Sequence, residues 1–154
     1  MRLVEMENRL HKRKRIKLTD EEAGLGTWLY LTYNIICDDE FNGVYENKII
    51  YLFEHGIRNW RNGFLLCHKY HRDNCSECPL YKAESRTYKK EFKNEGCDGY
   101  DYNINKRKDS YYWKTWHLEK YSHQERISAC LKICEVLAKE LKKSRKGGTN
   151  GIRR

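Results

Sequence analysis

A small, mainly α-helical single domain, stapled by a zinc knuckle and flanked by basic mobile termini, is the architecture written in this chain. Three features predict it. Two capping boxes, Thr19 with Glu22 and Ser122 with Glu125, each open a stretch whose apolar residues recur at helical spacing. Four cysteines fall within the window Cys67–Cys97, two of them in a C-x-x-C-P turn at Cys75, Cys78 and Pro79. Strand alternation is confined to short pieces near Cys97. The expected division is a basic arm over 1–18, a helical zinc-binding domain over 19–146 and a mobile basic tail over 147–154.

The elements follow in order. Leu3, Met6 and Leu10 have helical spacing at the start of the arm, ahead of the basic run Lys12, Arg13, Lys14, Arg15. Thr19 opens a helix to about Cys37 that should bury Leu25, Trp28, Leu29, Thr32, Ile35 and Ile36, with Gly24 and Gly26 weakening its first turns. Asp38, Asp39, Glu40 and Asn42-Gly43 break it. No matching ligand run follows, so they read as an acidic loop rather than a metal site. A second helix is predicted from about Tyr45 to Trp60, with Tyr45, Ile49, Leu52, Phe53, Gly56, Ile57 and Trp60 on its core stripe. Asn62-Gly63 stops it, and a short helix from Phe64 to His71 leads into the knuckle.

Leu80 to Phe92 predicts a further helix with a solvated Lys/Arg face. An irregular, tyrosine-rich loop spans Gly99–Asp109 and carries Lys106, Arg107 and Lys108. In the aromatic run after it, Trp113 and Trp116 read as core, whereas Tyr100, Tyr102 and Tyr111 are the candidates for exposed stacking contacts beside the cations. The last helix should bury an unbroken stripe of Ile127, Cys130, Leu131, Cys134, Leu137, Ala138 and Leu141, with Gly147-Gly148 ending it. Cys130 and Cys134 read there as small buried hydrophobes rather than metal ligands.

Composition bounds the function. The chain has 154 residues, 39% hydrophobic content and a mean hydropathy of −0.98, so one modest core is expected, and a metal staple would reinforce it. There is no apolar run of membrane-spanning length and no secretory h-region near the N-terminus. A reducing cytoplasm is therefore expected, where seven cysteines argue for metal and burial over disulfides. Formal net charge is +9; residues 1–17 carry +5 and residues 139–154 carry +6, which leaves the body near −2. Basic ends are a footprint of contact with nucleic acid or another polyanion, and equally of plain solvation.

The knuckle rests on coordination chemistry. Two residues between Cys75 and Cys78 let one turn aim both sulfurs at one ion, and zinc favours four such ligands in a closed tetrahedron. Cys67, Cys75, Cys78 and Cys97 form the first set. His71, midway between Cys67 and Cys75, is an alternative ligand that would leave Cys97 free. An Fe–S cluster is the alternative cofactor, though the ligands are spread too widely for ferredoxin spacing. Unliganded turn thiols remain a plainer reading. A redox C-x-x-C would need a βαβ setting that this sequence does not show.

Leu66, Cys67, Tyr70, Cys75, Cys78, Pro79, Leu80, Cys97, Tyr111, Trp113 and the helix from Ser122 form a pattern that resembles small cysteine-rich, mostly uncharacterised proteins of bacteriophages and prophages. The resemblance covers about residues 60–142. Many such proteins carry an additional cysteine three residues before the first ligand; here that position is Phe64, which favours a single four-cysteine site. The resemblance implies a phage-borne accessory protein in a bacterial host cytoplasm and carries no activity with it.

Three function classes follow. The first is an interaction protein that binds a host protein or protein–nucleic-acid complex, in its sharpest form an inhibitor of a CRISPR-type nuclease. The second is a nucleic-acid-binding zinc module using Lys12–Arg15, Lys106–Lys108 and the tyrosines. The third, a metal-dependent nuclease, would need a general base among His68, His71, His117 and His123. No H-E-x-x-H, zinc-deaminase or phosphate-loop motif accompanies them.

Overall fold

The computed structural model describes residues 17–70, 77–88, 100–101, 106–107 and 111–152; for residues 62, 85–88, 100–101, 106–107 and 147–152 it describes the backbone alone. The protein is mainly helical, as the periodicities predict. Helix α1 spans Asp20–Cys37, α2 Val44–Glu54, α3 Leu65–Lys69, α4 Pro79–Tyr88, α5 Tyr111–Trp116 and α6 His123–Ile152, with a 3-10 turn at Arg61–Gly63. Within the predicted irregular loop, β1 Tyr100–Asp101 and β2 Lys106–Arg107 pair antiparallel, Tyr100 opposite Arg107 and Asp101 opposite Lys106. Among the described residues no helix is long and apolar enough to cross a membrane.

Both capping boxes form. The Thr19 hydroxyl accepts from the Glu22 amide at 3.2 Å, and the Glu22 carboxylate accepts from the Thr19 amide at 2.9 Å. Ser122 and Glu125 make the same reciprocal pair, each bond 3.1 Å. The helices they open, α1 and α6, are the principal partners in the core. They run antiparallel: His123 Nε2 donates to the Ile35 carbonyl at 2.6 Å, Thr32 Oγ1 meets Cys134 Sγ at 3.5 Å, and Ser144 donates to Glu21 at 3.2 Å. Trp28, Leu31, Ile35, Cys130, Ile133 and Leu137 are buried between them and their neighbours. Aromatic rings join the remaining elements. Trp28 meets Phe64 at 5.7 Å and Tyr112 at 5.9 Å, and Phe64 stacks on Tyr112 at 5.3 Å.

Several expectations are corrected. Helix α2 stops at Glu54, not Trp60, because Gly56 takes φ +78° and closes a Schellman cap: the Ile57 amide donates to the Leu52 carbonyl at 2.8 Å and the Gly56 amide to Phe53 at 3.0 Å. Its buried face is also rotated. Val44, Lys48 and Leu52 point inward, while Tyr45 and Phe53 are exposed. Lys48 tolerates burial because its ammonium lies over the rings of Tyr45, Phe64 and Tyr112 and donates to the Tyr112 hydroxyl. Leu29 and Ile36 on α1, and Leu131 and Ala138 on α6, sit at the surface instead of the core. Helix α6 runs through Gly147-Gly148 to Ile152; each glycine weakens a helix by about 1 kcal/mol without ending it. Gly24 has a use beyond weakening its turn: a Cβ there would lie 2.8 Å from Leu65 Cδ2, so the glycine admits α3 against α1.

Candidate functional site

Two of the four predicted zinc ligands lie among the described residues, on α3 and beside the start of α4. Cys67 sits in α3, half-buried. Cys78 directly precedes Pro79, the first residue of α4, and is 5% exposed. Proline suits a helix start because the amide it lacks would be unpaired there. Both sulfurs are reduced thiols and both belong to the apolar cluster that includes Leu65, Leu66 and Leu80. The other predicted ligands, Cys75, Cys97 and His71, lie outside the described residues. Among the described residues no group of three or more His, Cys, Asp or Glu side chains is placed to hold a metal. Cys67 and Cys78 belong to consecutive elements, the first within α3 and the second just before α4.

Beside this anchor, Tyr70, Pro79 and α4 on one wall and α6 on the other enclose a cleft of about 550 Å³. Charge alternates along it. Lys82 pairs with Glu77 at 3.4 Å, Lys139 with Glu135 at 3.7 Å and Lys143 with Glu140 at 3.5 Å. Glu140 is buried at the base, where it accepts from the Tyr70 hydroxyl at 3.4 Å and meets Lys69 at 3.6 Å. Burial, and then the Glu140 charge, push the Tyr70 hydroxyl above its ordinary pKa. Lys69 also reaches Glu21 at 3.1 Å, tying α3 to the first turn of α1. Burial by itself would raise the Glu21 carboxyl, but the Lys69 hydrogen bond and the backbone amide outweigh it and hold the group below its usual value.

The predicted contact residues separate. Lys12–Arg15, Tyr102 and Lys108 lie outside the described residues. The β1–β2 ladder sets Tyr100 opposite Arg107 and brings Lys106 to the same hairpin. Tyr111 is corrected: it is 6% exposed, because α5 turns Tyr111, Tyr112 and Thr115 inward, and its amide donates to the buried Glu84 carboxylate at 2.9 Å. Trp116, expected in the core, is at the surface instead, against Tyr45 at 5.9 Å.

The described histidines are held by structural contacts. His55 stacks on Tyr51 at 4.3 Å and His68 on Trp60 at 5.9 Å. His117 lies 3.6 Å from the Trp113 ring, and His123 donates to the Ile35 carbonyl. Of the four general-base candidates, His71 alone is outside the described residues.

Buried charges are what sequence reasoning missed. Arg126, fully buried, donates through Nη2 to the carbonyls of Phe41 at 2.7 Å and Thr115 at 3.0 Å, clamping the α1–α2 loop to the end of α5. Burial pushes its pKa down, opposed by Cys130 and Asp38. The available signal was position: Arg126 precedes Cys130 by four residues, and Lys48 lies four from both Val44 and Leu52, so each stands in an apolar row. Comparison of the chain with models of known protein families, with curated proteins and with solved structures returns no match.

Proposed function

We propose that this chain is a phage-type accessory protein that acts by binding, not by catalysis: a helical body, stapled by zinc on Cys67, Cys75, Cys78 and Cys97, that engages a host protein or protein–nucleic-acid complex. In its sharpest form the target is a CRISPR-type nuclease of an anti-phage defence, and the site of action is the bacterial host cytoplasm. The observation that carries this reading is the engagement of His68, His117 and His123 in ring and backbone contacts, which supports surface recognition over hydrolysis. The surface on offer is the ridge of Lys139, Lys142, Lys143, Arg145 and Lys146 on α6, beside the charged cleft. Alternating charges of this kind favour electrostatic complementarity with a folded partner, where matched pairs fix register.

A nucleic-acid module is the second reading, favoured by the same ridge and by the Lys106–Arg107 hairpin. Its signature is affinity that falls steeply with salt. The deciding experiment is affinity capture from a bacterial lysate with and without nuclease, reading proteins, nucleic acid and zinc in each eluate. A defined host protein that survives nuclease is the expected result. Recovery of nucleic acid alone, lost on nuclease treatment, would replace the first reading with the second.

A further inference from the structure

We propose that the outer face shared by α1 and α6 docks against the same face of a second copy of this chain, making a four-helix dimer in which the basic end of each copy lies over the acidic end of the other. The face is built around the contact of Thr32 with Cys134. Leu29 and Leu25 lie three and seven residues before Thr32, and Ile36 four after it. Leu131 and Ile127 lie three and seven before Cys134, with Ala138 and Leu141 four and seven after it. Steps of three, four and seven keep residues on one side of a helix. The helices are antiparallel, so Leu25 comes level with Leu141, Leu29 with Ala138 and Ile36 with Leu131. The two rows therefore form one apolar strip.

This strip faces outward. Leu29, Ile36 and Leu131 are 53%, 50% and 52% exposed, Ala138 is exposed, and Leu25, Ile127 and Leu141 are half-buried. Among the described residues no helix covers it. Helix α2 lies on the other flank of α1, where Tyr30 meets Tyr51 at 5.4 Å, and α4 lies across the charged cleft on the far flank of α6. A continuous apolar face on two adjacent helices is half of a four-helix layer. Its size is sufficient: α1 has 18 residues, roughly 27 Å of helix, and two helices side by side are roughly 20 Å across, so each copy offers about 500 Å² and a dimer about 1,000 Å², the lower bound for a specific interface.

Charge selects the occupant and its direction. One end of the face carries exposed Lys142, Arg145 and Lys146, with Arg145 reaching Glu22 at 3.5 Å. The other end carries exposed Asp38, Asp39, Glu40 and Glu125. A two-fold axis running across the helices lays α1 on its counterpart and α6 on its counterpart, each pair antiparallel, and brings opposite charges together at both ends. An axis running along the helices would set like ends against each other. Lys139 and Lys143 stay on the cleft side of α6, outside the shared face. This inference stands independently of the proposed function.

The test is sedimentation of the full chain from about 1 to 100 µM, with a reductant present because Cys37, near this face, is an exposed thiol. The wild type is expected to reach twice its mass of 18.7 kDa. Leu29→Glu and Leu131→Glu change exposed positions, so each should keep the wild-type circular dichroism and weaken the dimer about tenfold or more. Direction is read from charge reversal. Asp39→Lys with Glu40→Lys should weaken the dimer, as should Lys142→Glu with Lys146→Glu, and the four changes together should restore it. A wild type that stays monomeric throughout would overturn the inference and leave the face to a different protein. A dimer indifferent to both leucine variants would place the interface elsewhere and overturn it too. Failure of the combined reversal to restore the dimer would overturn the antiparallel arrangement.

Discussion

Arg126 shows how a single residue can order distant chain segments. Its guanidinium serves two carbonyls, at Phe41 and Thr115, that belong to no regular hydrogen-bond ladder. Arg126→Ala leaves both carbonyls buried without that donor and opens a cavity in the core. A loss of about 3 kcal/mol is expected, measured as a shift in urea midpoint at constant slope; a loss below about 1 kcal/mol would mean the clamp is not structural. Glu21 and Lys69 give a pH signature. The Glu21 carboxyl is held below its ordinary 4.5, so its contribution is present above pH 4.5 and drains as pH falls through the lower folded value. For Lys69 burial lowers the pKa, but the Glu21 contact and the Glu140 charge hold it above the ordinary 10.5, so its contribution is present below pH 10.5 and fades as pH rises through the folded value. In Lys69→Met, burial of Glu21 is no longer opposed by a cation. The acid limb of the stability curve should therefore move to higher pH. An unmoved limb would show that the ion pair contributes nothing to folding.

At the level of the element, caps were legible and faces were not. Thr19, Glu22, Ser122 and Glu125 specify two helix starts because a capping box is local chemistry, complete within four residues. Which flank of α1 or α6 meets the core depends on where the neighbouring helices lie. The apolar row therefore included Leu29, Ile36 and Leu131, which are exposed, and passed over Lys48 and Arg126, which are buried. Tyr111 illustrates the same limit. Its inward turn is fixed by Glu84, 27 residues earlier, a partner that no local pattern reveals. The α2 terminus is legible in principle, since glycine is the residue that closes a Schellman cap, but Gly56 also falls at helical spacing from Leu52 and Phe53, which hides the stop within the apolar stripe. With φ +78° and nothing near the position of a Cβ, Gly56→Ala introduces backbone strain without a clash. The expected cost is about 1 kcal/mol in the urea midpoint. No cost would mean that the cap relaxes freely.

For the molecule as a whole, the question is what joins the α1–α6 pair to the segment from Trp60 to Trp116. Phe64, Leu65, Leu66, Leu80 and Tyr112 give that segment an apolar seat in the shared core. Cys67 and Cys78 stand at the edge of that seat, on consecutive elements, so under the zinc reading the metal closes the chain between α3 and α4. Metal binding to such a set is coupled to folding, because the unfolded chain offers no formed site. Cys78→Ser should then lose zinc and several kcal/mol, which for a chain of this length is a fall in Tm of about 10 °C. A buried thiol can also matter through its contacts alone, so the variant needs two companions. Cys37→Ser changes an exposed thiol and should leave zinc content and Tm as they are. A chelator added to the wild type should bring its Tm down to that of Cys78→Ser, with the circular dichroism of α1 and α6 largely retained, since their capping boxes and mutual core do not depend on the knuckle. If the chelator leaves Tm unchanged while Cys78→Ser lowers it, Cys78 is a core thiol and the staple is wrong. If both lower it together and Cys37→Ser does not, the metal holds the middle of the chain to the helical pair.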